Sequence, residues 1–252
     1  ATTLCTATVA AGAWSCAASS LADGAHTVTA TATDLAGNTA TANVSFTVDT
    51  AAPSLAITAP VDGAVLTTAT VTLTGTVSEV ATVSVGVTGN SSSVQCLAAT
   101  QVTTGTWTCT ISLTGNGETF TISAHAVDRA GNSADATSTF TLDNTTPVAP
   151  VITSAPAALS NDTTPTFSGT AEANSTVAVT ITGGASQYAC TATADASGAW
   201  SCTATLPVSA GSYSATATAT DAAGNTSAAS SPAVSFVIDV TDFFAGDTPA
   251  LS

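Results

Sequence analysis

The sequence predicts an all-β chain of tandem β-sandwiches with a repeat of about 93 residues, and three observations carry that prediction. Trp14, Trp107 and Trp200 follow one another at intervals of 93 residues, each inside the same local string, GAWSC, GTWTC and GAWSC. An Asp-x-Ala-Gly-Asn turn then recurs at Asp34, Asp128 and Asp221, followed by a segment that ends in Asp: SFTVDT, TFTLDN and SFVIDV. Before each turn the runs TVTATATD, TISAHAVD and YSATATATD alternate with period two, the pattern of a half-buried strand. Nothing shows helical periodicity.

Taken in order, the landmarks divide the chain. Two of the Asp exits lead into Pro53 and Pro147, which open the next unit. Residues 1–50 are therefore the C-terminal part of a repeat, 51–145 and 146–240 are complete repeats, and 241–252 form a tail without a Pro-led opening. About seven short strands per unit, separated by small turn clusters, are the content of an immunoglobulin-like sandwich. In unit three 44 residues lead from Thr146 to Cys190, whereas 4 precede Cys5. About three strands are thus missing from the first sandwich, whose remaining strands are expected to show unpaired edges and a bare core face.

Charge narrows the partners. Lys plus Arg is 1 against Asp plus Glu 16, a net charge of −15, which argues against nucleic acid or an anionic membrane surface and leaves room for bound cations. No stretch approaches the ~18 apolar residues of a spanning helix, so membrane insertion is not expected.

The strings C…GxWxC, AxATDxAGN and VDxxxP resemble the bacterial Ig-like repeats of giant surface adhesins and biofilm proteins, over nearly the whole chain from Ala1 to about Asp239. The resemblance implies a non-catalytic extracellular stalk of stacked sandwiches on the bacterial cell surface, often with calcium at the junctions. It also implies neighbouring repeats as partners, and a host-cell or matrix ligand held by a domain elsewhere.

Six cysteines fall as three local pairs, Cys5/Cys16, Cys96/Cys109 and Cys190/Cys202, each bracketing a Gly-containing turn. Their members should face each other across an antiparallel hairpin, as intradomain disulfides formed in an oxidising exterior. The competing reading, a thiolate metal site, would want four ligands where each unit offers two Cys. Each Trp lies two residues before its Cys and shares its face. It reads as a plug over the disulfide; the alternative, an aromatic platform for a sugar ring, lacks the exposed aromatic clusters such sites use.

The acidic residues carry the site chemistry. In a Greek-key sandwich the F–G turn and the B–C loop meet the exit of the preceding domain. Two junctions therefore each gather three carboxylates: Asp49, Glu79 and Asp128 at the first, Asp143, Glu172 and Asp221 at the second. Asn132 and Asn225 could add neutral oxygens. Ca²⁺ takes six to eight hard oxygens in flexible geometry, so calcium is the expected cofactor. The bland reading, in which Asp caps its own Gly turn, is compatible with it. The second junction is expected to be the better one, because Arg129 beside Asp128 competes as a counter-charge.

His26 and His125 read as solvated strand residues, Asp62 and Asp162 as turn residues at the opposite pole, and the Asn-x-Ser/Thr strings at Asn43, Asn144 and Asn174 as chance. No nucleophile elbow, triad or Gly-rich helix opening is present. Besides the stalk, two alternatives stand: a self-assembling filament subunit completed by strand addition between chains, and a glycan- or protein-binding module.

Overall fold

The computed structural model describes residues 4–17, 19–89, 92–103, 105–183, 186–204 and 210–240. The 241–252 tail lies outside them. Among the described residues every regular element is a strand.

Unit one contributes β1 (Gly24–Thr33) and β2 (Thr39–Val48), an antiparallel pair registered from Gly24 opposite Val48 to Thr33 opposite Thr39. In unit two, β3 (Leu55–Ala59), β5 (Thr70–Val77) and β8 (Gly105–Ser112) form one sheet in the order β3-β5-β8. Facing it is a five-stranded sheet of β4 (Ala64–Leu66), β6 (Ala81–Thr88), β7 (Ser93–Val102), β9 (Glu118–Asp128) and β10 (Ser133–Leu142), ordered β4-β10-β9-β6-β7. Unit three repeats the scheme. β11 (Val151–Ser154), β13 (Thr166–Thr170) and β16 (Ala199–Thr203) form the small sheet. β12 (Leu159–Ser160), β14 (Thr176–Gly183), β15 (Ser186–Thr193), β17 (Gly211–Thr220) and β18 (Val234–Ile238) form the large one, ordered β12-β18-β17-β14-β15. The opening segment switches sheets in each complete unit: in unit two β3 is antiparallel to β5, and β4 then runs parallel to β10. Asp62, in the switch, accepts hydrogen bonds from the Thr139 backbone N–H (2.7 Å) and hydroxyl (2.8 Å), pinning it to β10.

The period-two pattern becomes burial directly. On β5 the side chains Val71, Leu73 and Val77 point inward while Thr70, Thr72 and Thr76 face water. Phe120 and Phe140, cross-strand partners, stack with centroids 5.4 Å apart at the centre of unit two. Tyr213 and Phe236 take that place in unit three, at 5.7 Å. There the last strand starts late. Between Asn225 and β18 the hydroxyls of buried Ser227 and Ser230 accept hydrogen bonds from the backbone N–H groups of Ala219 and Ala217, both at 2.9 Å, while their own backbone N–H groups donate to the carbonyls of the same alanines, both at 2.8 Å.

Two sequence expectations are corrected by the sheets. The disulfides Cys5–Cys16, Cys96–Cys109 and Cys190–Cys202 all form, with Cα–Cα distances of 6.0, 5.9 and 5.8 Å. In the complete units, however, they do not bridge a hairpin. Cys96 on β7 and Cys109 on β8 belong to opposite sheets, as do Cys190 on β15 and Cys202 on β16, so each bond staples the two layers together. The Gly turn carries the chain over the sandwich edge instead of folding it back.

The Trp plug holds in units two and three, where Trp107 is 3% and Trp200 4% exposed, and fails in unit one, where Trp14 is 55% exposed. Among the described residues no second sheet faces unit one, and Val44 and Phe46 of its inward face are likewise exposed. Where the plug is seated, its cross-strand partner is a glycine. Gly75 lies opposite Trp107 on β5, and a Cβ there would run into the indole and the Ala56 carbonyl. Gly169 lies opposite Trp200, and a Cβ there would meet the Val151 carbonyl.

Candidate metal centre

The Asp-x-Ala-Gly-Asn turns are built alike at all three sites. Asp128 ends β9, and its Oδ1 accepts hydrogen bonds from the backbone N–H groups of Gly131 (2.7 Å) and Asn132 (2.9 Å). Gly131 supplies the positive φ of 98° that closes the turn. The Asn132 amide donates to Asp128 Oδ2 at 2.8 Å and to the backbone carbonyl of Asp49, in the preceding unit, at 3.1 Å. Asn225 does the same, donating to Asp221 Oδ2 at 2.9 Å and to the Asp143 carbonyl at 3.0 Å. In unit one Asn38 donates to Asp34 Oδ2 at 2.8 Å. Asn132 and Asn225, expected to offer neutral oxygens, use their amide N–H groups to form a clasp across each joint. The signal was present, because an Asn stands four residues after the Asp in every copy.

Around the first clasp three carboxylates converge. Asp49 leaves β2 and turns on its own Oδ1, which accepts the Ala51 N–H at 3.1 Å. Glu79 sits in the loop between β5 and β6, residues 78–80, which is tied to the linker by bonds between Ser54 and Ser78 in both directions. One carboxylate oxygen each from Asp49, Glu79 and Asp128 lies within 4.8 Å of the others. Arg129 makes no ion pair with them; His125 Nδ1 lies 2.7 Å from Asp135 Oδ1, on the paired strands β9 and β10. A set of three anionic oxygens without sulfur or imidazole suits a hard cation of calcium type rather than zinc or copper.

The second joint differs. Asp143, Glu172 and Asp221 do not close to that distance; among the described residues Asp49, Glu79 and Asp128 are the trio that does. The loop from β13 to β14 spans residues 171–175, two more than its counterpart, and turns at Asn174 with φ 63°. The N–H and hydroxyl of Ser175 hold the Glu172 carbonyl at 3.2 and 2.7 Å, and Glu172 stands exposed where Glu79 is half-buried. The convergence of carboxylates expected above all at the second joint is therefore found at the first, where Arg129 forms no ion pair with them.

Hydrogen bonding also sets the charge of the turns. The Asn38 side chain holds the Asp34 carboxyl below its ordinary value, and the Asn225 side chain does so for Asp221 against the opposing effect of burial. At Asp128 burial pushes the carboxyl up, but the bonds from Asn132, Gly131 and Ala130 outweigh it and the net direction is down. A carboxyl whose folded pKa is depressed stabilises the fold fully above its unfolded value, and that stabilisation is lost as pH falls through the folded value. Melting temperature is thus expected to hold from neutrality down to about the ordinary value of 3.8 and to drop below it. Asp221→Asn should flatten the drop for unit three in a calorimetric pH series.

The remaining singled-out residues have local partners. His26 Nε2 lies 2.7 Å from the Ala22 carbonyl, and Asp162 Oδ1 accepts the Thr164 N–H at 2.9 Å.

Two family models match the chain. The family described as bacterial Ig-like domain matches residues 1–50 and 153–240, and the one described as glucodextranase, domain B, matches residues 53–144. Among solved structures, a tetra-tandem repeat from the extending region of a large adhesion protein is 30% identical, with a TM-score of 0.36 over 93% of this chain and 63% of that one. A bacterial ice-binding adhesin, solved for its retention on the host cell surface, is 23% identical over 86% of this chain and 74% of that one, with a TM-score of 0.37. A stretch of titin domains is 11% identical over 85% and 74%, with a TM-score of 0.46. The chain thus spans less than two thirds of the length of the tetra-tandem repeat. No curated protein matches it.

Proposed function

Since the chain belongs to the bacterial Ig-like domain family, we propose that it is a spacer segment in the stalk of a bacterial surface adhesin, with its first joint stiffened by calcium. The trio Asp49, Glu79 and Asp128 carries this reading, because its ligands come from both sides of the joint. A cation there relieves like-charge repulsion only when the two units keep one relative orientation. Three disulfides suit an oxidising exterior, and the role is mechanical, not catalytic. Its partners are the adjacent repeats, and the adhesive contact belongs to a domain elsewhere in the parent protein.

Millimolar calcium is expected to raise the melting temperature of the chain and to narrow the distribution of inter-unit distances in small-angle scattering. Glu79→Gln should abolish both responses, while Glu172→Gln should leave them intact. Superposable melting curves in calcium and in chelator would sink the metal reading and leave the spacer reading standing on the Asn clasps.

A further inference from the structure

The two complete sandwiches treat their sheet edges differently. One edge of each sheet is kept short: β3 has five residues, β4 three, β11 four and β12 two. The other edge of the large sheet is long, ten residues in β7 and eight in β15. A long edge strand offers a row of outward backbone N–H and C=O groups to any passing chain, and natural sheets blunt it with bulges, Pro or Lys. β7 is blunted: its register against β6 shifts twice, at Val83/Val85 and at Val85/Gly86, which bends the edge away. β15 is not. It pairs with β14 through all eight residues without a shift, from Thr176 opposite Thr193 to Gly183 opposite Ser186. It contains no charged residue and no proline, and Gln187, Ala189, Thr191 and Thr193 lie exposed along it.

We propose that β15 is a self-pairing edge, which takes the same strand of a second copy of this chain in an antiparallel, two-fold arrangement. The large sheets of the two copies then run on as one ten-stranded sheet. Charge distribution selects a second copy as the occupant. The chain carries −15, so copies repel wherever carboxylates face each other. The acidic residues of unit three, Asp162, Glu172, Asp195, Asp221 and Asp239, all stand outside its strands, and neither β14 nor β15 carries charge. A cationic partner would be drawn to those acidic loops, while a neutral, regular edge is the surface on which two like-charged copies can meet. Small exposed side chains let the paired strands approach to the usual ~4.8 Å.

Sedimentation velocity on the full chain, from micromolar to millimolar concentration at physiological salt, tests this. A concentration-dependent dimer is expected. The pair Ala189→Lys and Thr191→Lys should weaken it by roughly tenfold or more, because two-fold pairing brings the lysines of the two copies together. Thr191→Val, which keeps the strand and adds no charge, should retain the dimer, as should Gln95→Lys on the bulged β7. A chain that stays monomeric throughout would overturn the proposal, as would a loss of dimer in Gln95→Lys equal to that in the β15 pair.

Discussion

Trp200→Ala is expected to destabilise unit three by about 3–5 kcal/mol, and Trp14→Ala to change stability by no more than about 0.5 kcal/mol. The two residues occupy the same place in the repeat, so the contrast isolates burial from sequence context. Trp200 is 4% exposed, packed in the cluster of Phe167, Val179 and Cys202, whereas Trp14 is 55% exposed and supports no second sheet. Truncation in unit three leaves a void that the small sheet cannot fill, because Gly169 opposite it has no side chain to offer. One effect works the other way. Among the described residues the buried Trp200 indole N–H has no hydrogen-bond partner, and removing such a group relieves a cost of about 1–3 kcal/mol. The result should therefore fall toward the lower end, and Trp200→Phe should recover most of the loss. Against a usual total of about 5–15 kcal/mol for a domain, the unit-three transition in a calorimetric trace should move well below that of unit two.

The same Trp shows how far the sequence could be read. Its 93-residue interval and the period-two runs were enough to foretell an all-β chain of Ig-like sandwiches, because alternation translates into a buried face without any knowledge of which strand pairs with which. Strand partnership is a different matter. A Gly turn between Cys96 and Cys109 is compatible with a hairpin in one sheet or with a crossing between sheets, and local sequence does not choose. The choice is made by β6, whose uninterrupted Val83, Val85 and Val87 draw β7 to one side, and by β5, which draws β8 to the other. The joints were half legible. Repetition placed Asp, Glu and Asn at each of them, but the difference between the Ser78–Val80 loop and the longer one around Asn174 decides where the glutamate points. Two extra residues in a loop move a carboxylate by more than a metal site tolerates. The clasp is illegible in sequence for a chemical reason: an Asn side chain carries both a donor and an acceptor, and only the position of the facing carbonyl shows that the donor is engaged across the joint.

Cross-sheet stapling makes the disulfides matter more than hairpin bonds would. If Cys190 and Cys202 sat opposite each other in one sheet, ladder hydrogen bonds would keep their strands together after the bond was cut. They lie in opposite layers, so side-chain packing alone holds those layers at that edge once it is gone. The bond closes a loop with a sequence separation of 12, and removing it is expected to cost about 3 kcal/mol in the chain-entropy model. Both cysteines of this pair are buried, so Cys190→Ala with Cys202→Ala also leaves unfilled volume, and the loss should exceed the entropic figure. Cys96 and Cys109 are only half-buried, and the matching pair of substitutions in unit two should cost the entropic part alone. Denaturant titration of the two double variants separates the contributions: the midpoint of unit three should fall further than that of unit two. Equal shifts would mean that the buried sulfurs add nothing beyond their crosslink, and shifts near zero in both would mean that side-chain packing, not the bond, holds the two layers together at this edge.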